Sequence, residues 1–531
     1  MLTLNRWIFA SPSPRLALVL LAAACSVFLA WIARLNFVMH DMFHELALVR
    51  EMFARGEMPL DNPFAFTPTA FPSVHHEWAM GLLLYGFCIS TGWGIAGLTV
   101  LRWMLIVGIL CAAYSTARRR GADDYAIALV ALLVIPMAWV GFGTLRAQLV
   151  TLLLTAIQIR LMDEGKRISR GWVLVLLPLW IVWVNVHAGF LVGAGLLVLD
   201  TAERILVDLH RQWRFGRASR IAWIAKRLFH RHWHRFGMLI AGAAALGLTP
   251  YGMLYIPFVL HAVGLDRPEI AEWGPLWTTY QPELTLTALL ALGAITFAAV
   301  RRLDWQRSVG VLSLVVTAYL AIRHIRHGSI FGVVWLCYAP ALVTRSGISR
   351  IVRDWCSQRP RAISRSATAI IVASCFYFVF VGGWQTVVPV QTKSFGTGNQ
   401  PTGVVQYIKN AGLRGSVMTP FGAGAYMMWH LYPEVLISMD GRYEVGYPPE
   451  LLDEHRAFYR GESDWQEMLS RYPCDMVVAP SGSPVTRSLS DSERWNLIYQ
   501  DDSYVLFSSV GSANPLPAID RRGKTLPPVF L

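Results

Sequence analysis

The feature that most constrains this chain is a series of apolar runs, many of them about 20 residues long, separated by short basic connections. Because the hydrocarbon core of a bilayer is about 30 Å thick, a helix of this length crosses it. Only 15% of the residues are charged, whereas ordinary soluble domains carry about 25%. The sequence therefore predicts a multi-pass α-helical membrane protein.

About 11 segments are predicted to cross the membrane, and the shorter ones are expected to be tilted or to end in buried pockets. They are 16–36, 96–117, 125–143, 148–163, 171–186, 189–206, 238–262, 283–300, 309–323, 328–344 and 366–388. Segment 77–94 is predicted to be a re-entrant or surface-lying helix instead.

The distribution of Lys and Arg sets the predicted orientation. More than half of them lie in the N-terminal segment and in alternate connections, such as 118–120, 204–235 and 345–365. Cytoplasmic loops are enriched in these residues. The N-terminus is therefore predicted to be cytoplasmic, and the C-terminal domain periplasmic or extracellular, in a bacterial inner (plasma) membrane.

The net charge of +13 raises the question of a nucleic-acid partner. The positive charge belongs to the hydrophobic part of the chain, where it is explained by topology. The basic, aromatic loop 204–235 is predicted to be an amphipathic helix on anionic lipid headgroups. No nucleic-acid partner is expected.

The chain is predicted to divide into a transmembrane domain, 1–389, with a long first outer loop at 37–94, and an extracytoplasmic α/β domain, 390–531. Segments SVMTP, VLISMDG, DMVVAP and YVLFSS indicate strands, and helices are predicted between them. Residues 390–400 are predicted to be a linker and 511–531 a poorly ordered tail. Trp429, Asp440, Arg442 and Tyr447 are placed in loops, which either bind an acceptor sugar or polypeptide or serve only as turns.

Polar residues near the predicted outer ends of the spans form the candidate site. Polar groups at a membrane are costly and usually functional, and the predicted topology brings these to one surface. They are Asp41, His44, Glu77, Arg146, Gln148, Asn185, His187, Tyr251, Arg323, His324 and Arg326. This arrangement predicts a cavity that opens outward at the membrane boundary.

The first outer loop begins with DMFHELALVREMFAR (41–55), whose apolar residues have helical spacing. We expect a helix that lies along the interface, with its acidic side chains facing the aqueous site. Tyr251 is expected in the outer part of span 238–262.

These features together resemble the GT-C superfamily of integral-membrane glycosyltransferases. An acidic residue directly after the first span opens an interfacial helix, and a long outer loop, many spans and a C-terminal outer domain follow. The superfamily includes the oligosaccharyltransferase catalytic subunit, protein O-mannosyltransferases and the aminoarabinose transferase of lipid A. The resemblance implies transfer of a sugar from a polyprenyl-phosphate lipid.

The resemblance also implies a role for Asp41, which occupies the place of the family's first-loop aspartate, the catalytic acid/base or metal-holding residue. The family's second acidic motif is not matched, because GFGTLRAQ has Arg146 there, so Glu77 or Asp61 would take that role. The oligosaccharyltransferase signature WWDYG is absent.

The chemistry requires a base, and Asp41 is the candidate. An alternative is that Asp41 only caps the N-terminus of its helix. The leaving phosphate requires positive charge, for which the candidates are Arg323, His324 and Arg326. Their alternative is anchorage to lipid headgroups. Arg146 either joins them or pairs structurally with Glu77.

The remaining candidates have two interpretations each. Asp41 and Glu77, with neighbouring histidines, are predicted to hold Mg²⁺ or Mn²⁺, or to form a polar contact between loop and span ends. Asn185, His187 and Tyr251, like His44 and Gln148, are predicted to bind substrate. The first three could equally satisfy helix ends opened by Gly and Pro.

The sequence therefore predicts a membrane glycosyltransferase of hexosyltransferase type that uses a polyprenyl-phosphate sugar and acts in the cell envelope on a glycan, lipid or protein acceptor. The alternative is a non-enzymatic lipid-sugar transporter or envelope assembly protein on the same scaffold. Transporters are typically built from internal repeats, and no repeat is visible in the sequence.

Overall fold

The structure is a computed structural model that describes residues 12–36, 38–39, 41–164, 171–214, 221–265, 270–303, 309–387, 400–462, 465–512 and 522–523. The predicted linker, except Gln400, lies outside the described residues. So does the predicted tail, except its first two residues and 522–523.

The chain forms two compact units. The transmembrane unit comprises 1–36, 99–246 and 266–385, and the α/β unit comprises 37–98, 247–265 and 386–531. The first outer loop and the segment around Tyr251 therefore belong to the same unit as the C-terminal sheet.

The α-helices of the described residues are numbered along the chain. They are α1 (Pro12–Ile32), α2 (Asp41–Arg55), α3 (Trp78–Tyr85), α4 (Ile95–Arg119), α5 (Asp124–Gly143), α6 (Ala147–Glu164), α7 (Trp172–Val186), α8 (Phe190–Arg214), α9 (Ile221–Ala244), α10 (Tyr255–Gly264), α11 (Pro282–Arg301), α12 (Val311–Arg323), α13 (Gly328–Arg345), α14 (Ile348–Gln358), α15 (Pro360–Phe376), α16 (Thr402–Ala411), α17 (Phe421–Leu431), α18 (Tyr443–Gly446), α19 (Pro449–Arg460), α20 (Trp465–Arg471) and α21 (Pro484–Ser490).

Six helical segments in the described residues are long and apolar enough to cross a membrane, or up to seven if one bent pair forms a single span. They are Arg15–Ile32, Ile95–Arg119, Asp124–Gly143, Pro282–Arg301, Ile325–Arg345 and Pro360–Val381. The fold is thus a polytopic helical membrane domain, as predicted, with fewer such helices than the expected eleven. Other predicted spans, such as α7 and α12, are helices that are shorter.

Two segments of the structure differ from what the sequence predicted. The expected span 238–262 is interrupted, because α9 ends at Ala244 and α10 begins at Tyr255. Tyr251 lies in this break and not in a helix, where Pro250 cannot supply a backbone N–H.

The predicted amphipathic helix 204–235 is instead the facing ends of α8 and α9. Asp200 accepts hydrogen bonds from Arg204 and Arg235, and Asp208 accepts one from His232 at 3.1 Å. The contacts of Asp200 with Arg235 and of Asp208 with His232 join α8 to α9, and part of the basic charge is therefore used within the fold.

The C-terminal part folds around a six-stranded sheet. The strands are β1 (Gly415–Met418), β2 (Val435–Ile437), β3 (Met476–Pro480), β4 (Trp495–Asp501), β5 (Tyr504–Ser509) and β6 (Arg522–Gly523), in the order β2-β1-β3-β5-β4-β6. β1 is parallel to β2 and β3, whereas β5 is antiparallel to β3 and β4. The four strands predicted from the sequence are β1, β2, β3 and β5.

Trp429 was expected in a loop, and this expectation is wrong, because Trp429 lies in α17. The glycines at 422 and 424 suggested a loop. Gly424 has a different role, because a Cβ there would lie 2.0 Å from the carbonyl oxygen of Met439. The glycine allows α17 to approach the chain that leads into Asp440.

Replacing Gly424 with alanine is expected to destabilise the protein by about 1–3 kcal/mol, because backbone must move to admit the methyl group. Gly422→Ala is the matched control. A Cβ at 422 meets nothing within 4 Å, so this change should be neutral or stabilising by up to about 1 kcal/mol. The measurement is the thermal unfolding midpoint of the detergent-solubilised protein. Equal midpoints for the two variants would contradict this packing.

Candidate functional site

Asp41 is the first residue of α2, as predicted, and is partly buried. Its Oδ1 atom is 4.0 Å from the position that a Cβ on Gly441 would occupy. The carboxylate is therefore beside the turn that carries Asp440 and Arg442. Because Asp41 lies in the first helical turn, the helix dipole also favours its negative charge.

The polar face of α2 is not exposed as expected. His44 is 6% and Glu45 4% exposed, because α2 packs against α3 and α17 within the α/β unit. The expectation that the acidic side chains of α2 face the aqueous site is thus wrong for Glu45, whereas Asp41 is only partly buried. The sequence of α2 is amphipathic, but its partner α17 comes from a distant part of the chain.

His44 and Glu45 form a buried pair, with His44 Nε2 3.0 Å from Glu45 Oε1. Burial lowers the pKa of His44, but the Glu45 carboxylate outweighs burial and raises the pKa above its ordinary value. The imidazolium form of His44 is therefore favoured beside Glu45. Glu45 was not among the predicted site residues, although its spacing from Asp41 places it one helical turn away.

The centre of the α/β unit's polar cluster is an ion pair between Asp440 and Arg442. Asp440 is completely buried, and Arg442 binds its two oxygens through Nε, at 2.9 Å, and Nη2. Arg442 Nη1 also donates to the imidazole of buried His75, at 2.9 Å. Tyr447 donates to Asp440 at 3.2 Å.

The pKa shifts in this cluster follow from these contacts. Burial opposes ionisation of Asp440, but the Arg442 guanidinium outweighs it and holds the pKa of Asp440 well below its usual range. Burial, reinforced by Arg442, lowers the pKa of His75 well below its ordinary value. His75 is therefore a neutral acceptor, and Asp440 remains charged.

The first outer loop is built into the C-terminal sheet. Phe66 donates a backbone hydrogen bond to Ile437 at 3.0 Å, and Ile437 donates one to Phe64 at 2.9 Å, so this stretch extends the edge beside β2. Arg50 donates to the carbonyl of Trp429 at 2.8 Å and lies over its ring. These contacts fix the loop that follows Asp41.

Tyr251 also lies in this unit. Its hydroxyl accepts a hydrogen bond from the backbone N–H of His75 at 3.0 Å, and Tyr251 is buried. The residue therefore supports the loop that presents His75, whatever it contributes to substrate binding.

In the transmembrane unit, Arg323 ends α12, and His324 and Arg326 lie in the turn between α12 and α13. Arg323 is exposed, and the Arg326 guanidinium lies 4.7 Å from the centre of the Trp273 ring. Gln148 Nε2 donates to the carbonyl of Arg326 at 3.0 Å. The structure thus brings Gln148 to the same turn as the predicted phosphate ligands.

His324 Nδ1 lies 2.7 Å from the carbonyl of Trp273. Because a carbonyl oxygen only accepts, Nδ1 must carry a proton. Nε2 therefore accepts in the neutral ring and donates only in the imidazolium. His324 can bind a phosphate oxygen through Nε2 only when the ring is protonated.

Arg146 forms an ion pair with Glu272, whose two carboxylate oxygens lie 3.0 and 3.2 Å from Nη1. Both side chains are about one quarter exposed. Glu272 and Trp273 were not predicted. Their only sequence signal is their position in the predicted outer connection between spans 238–262 and 283–300.

Asn185 and His187 lie at the end of α7. Asn185 donates to the Ile181 carbonyl of its own helix at 2.8 Å. His187 Nδ1 accepts from the backbone N–H of Gly189 at 3.1 Å and lies 2.8 Å from the Thr151 hydroxyl. These contacts satisfy an opened helix end, which was the structural alternative, and a substrate role stays a prediction.

The predicted metal site has few donors. No group of three or more His, Cys, Asp or Glu side chains in the described ranges could hold a metal ion. Glu77 Oε1 lies 3.5 Å from His76 Nε2. Mg²⁺ is commonly held by one or two carboxylates with waters and substrate phosphates. The metal stays a prediction.

Comparisons with known proteins identify the fold. No family model and no curated protein sequence matches the chain. Its structure is similar to the oligosaccharyltransferase of Archaeoglobus fulgidus, with a TM-score of 0.53, 12% identity, and coverage of 87% of this chain and 69% of that one. It is also similar to ArnT from Cupriavidus metallidurans bound to undecaprenyl phosphate, with a TM-score of 0.51, 13% identity, and coverage of 93% and 98%.

The likeness to these two structures confirms the predicted fold class, a polytopic helical membrane domain with a C-terminal α/β domain. It extends over most of this chain. At this level of identity the likeness concerns the fold.

Proposed function

We propose that this protein is a membrane glycosyltransferase that moves a sugar from a polyprenyl-phosphate-type lipid to an acceptor outside the cytoplasm. The observation that carries the proposal is the fold, shared with an oligosaccharyltransferase and with an ArnT whose structure contains undecaprenyl phosphate. The position of Asp41 supports it, because a carboxylate opens the helix that follows the first span.

The proposed reaction is a single displacement at the anomeric carbon. The acceptor oxygen attacks this carbon and forms the new glycosidic bond, while the bond from the carbon to the phosphate oxygen breaks. The Asp41 carboxylate takes the proton of the acceptor hydroxyl, and the lipid phosphate leaves with the bonding electrons. Attack opposite the leaving group inverts the configuration.

The leaving phosphate gains negative charge as the bond breaks, and positive groups stabilise that charge. In this proposal Arg323 and Arg326 are the positive groups, and His324 joins them when its ring is protonated. Arg provides a planar set of donors suited to phosphate oxygens. The Asp440–Arg442 pair is assigned a structural role, because each charge already has its partner.

The proposal is tested by deleting the gene in its own host and profiling envelope glycans and polyprenyl lipids by mass spectrometry. We expect one glycan substituent to disappear and one polyprenyl-phosphate sugar to accumulate. The wild-type gene should restore the profile, and Arg326→Ala should not. Arg302→Ala, an exposed arginine after α11, is the control and should restore it. Unchanged glycans and lipids in the deletion strain would contradict the proposal.

A further inference from the structure

Segment 270–274, which precedes α11, lies against the turn that carries Arg326. Ile325 donates a backbone hydrogen bond to the carbonyl of Gly274 at 3.0 Å. His324 donates to the carbonyl of Trp273 at 2.7 Å, and the Trp273 ring lies under the Arg326 guanidinium. One short segment therefore holds the backbone of the turn, the His324 imidazole and the Arg326 guanidinium.

The contact with Trp273 suits an arginine that binds an anion. A cation–π contact is worth about 0.5–2 kcal/mol, depending on its exposure. A cation–π contact uses the positive charge of the guanidinium and is not a hydrogen bond. The ring can therefore restrict the side chain without consuming its hydrogen-bond donors, and less rotamer entropy is lost when a phosphate binds.

Segment 270–274 is itself anchored to the start of α6. Arg146 Nη1 lies 3.0 Å from Glu272 Oε1, and Gln148, two residues later, donates to the Arg326 carbonyl and to the Ser329 hydroxyl. At the start of α6, Arg146 therefore holds segment 270–274, and Gln148 holds the turn that carries Arg326. Arg146 is thus engaged by a carboxylate that belongs to the same chain.

We propose that Glu272 and Trp273 are positioning residues that orient Arg326 toward the anionic headgroup of a lipid phosphate, and that Arg146 acts through Glu272 and not on the substrate. This inference rests on the proposed function, and it reassigns Arg146 from ligand to anchor. If Arg146 bound phosphate directly, a cation would be required at position 146. If it anchors Glu272, only the pairing of opposite charges is required.

The test measures binding of undecaprenyl phosphate to the full-length protein in nanodiscs. Trp273→Ala should raise Kd about 10-fold, whereas Trp273→Phe, which keeps an aromatic face, should raise it about 3-fold or less. Trp277→Ala is the control, because Trp277 is 58% exposed in the same connection, and it should not change Kd.

The second arm exchanges the anchor charges. Arg146→Glu and Glu272→Arg should each raise Kd about 10-fold, and the double exchange should return it to within about 3-fold of wild type. Glu283→Arg, at an exposed position of α11, controls for added charge and should be neutral. A variant that unfolds is recognised by its lowered thermal unfolding midpoint. In that case the Kd values of Trp273→Phe and of the double exchange test the inference.

The following results would contradict the inference. A double exchange that binds as weakly as Arg146→Glu alone would overturn it, since Arg146 would then be needed as a cation. Wild-type affinity in Trp273→Ala would also overturn it. Absence of binding by the wild-type protein would contradict the proposed function as well, whereas indifference of binding to these variants contradicts the inference alone.

Discussion

Asp41→Asn is expected to lower the rate of sugar transfer by about 10²–10⁴-fold, the usual contribution of a general base, while the protein still inserts into the membrane. Asparagine has the size of aspartate and fits the same first turn of α2. It cannot accept the proton that the acceptor loses. The measurement is the initial rate of transfer in membranes of the deletion strain that express each variant at equal amounts.

The alternative is that Asp41 only favours its helix terminus electrostatically, an effect of about 0.3–1 kcal/mol on stability with no effect on the rate. Glu57→Gln is the matched control, because Glu57 is an exposed acid just after the same helix. It should transfer sugar at the wild-type rate. Wild-type transfer by Asp41→Asn would reject the base mechanism.

The helices of the membrane domain and most strands of the sheet could be predicted because their signals are local. Apolar runs determine spans, and short β-branched runs such as those of β1 and β3 determine strands. Helix α2 was predicted correctly for the same reason, including its start at Asp41. The helix α17 was missed because glycine has no local signature that separates a loop from a close helix contact.

Burial and pairing could not be predicted, because they depend on distant segments. Arg50 contacts the carbonyl of Trp429, 379 residues away, and Arg442 contacts His75, 367 residues away. Nothing near Arg146 indicates Glu272, which is 126 residues away. The distribution of Lys and Arg placed several of these residues on the same predicted side of the membrane, but it did not indicate which residues contact each other.

Arg442→Ala is expected to cost about 3–5 kcal/mol of stability, because it leaves the completely buried Asp440 charged and without its guanidinium partner. His75 loses its donor as well. The double variant Asp440→Asn with Arg442→Ala should lose less than Arg442→Ala alone, since no charge then remains buried unpaired. The measurement is pulse proteolysis of the full-length protein in detergent over a denaturant series.

Arg456→Ala is the control, because its partner Asp453 is 80% exposed, and it should cost no more than about 1 kcal/mol. The pH dependence gives an independent check. Because the pKa of Asp440 is lowered in the folded state, its contribution to stability is complete above the unfolded pKa of about 4 and is lost as the pH falls below it. Arg442→Ala should therefore flatten the acid limb of the stability profile. A double variant that is less stable than Arg442→Ala would mean that Asp440 has another partner strong enough to hold its charge.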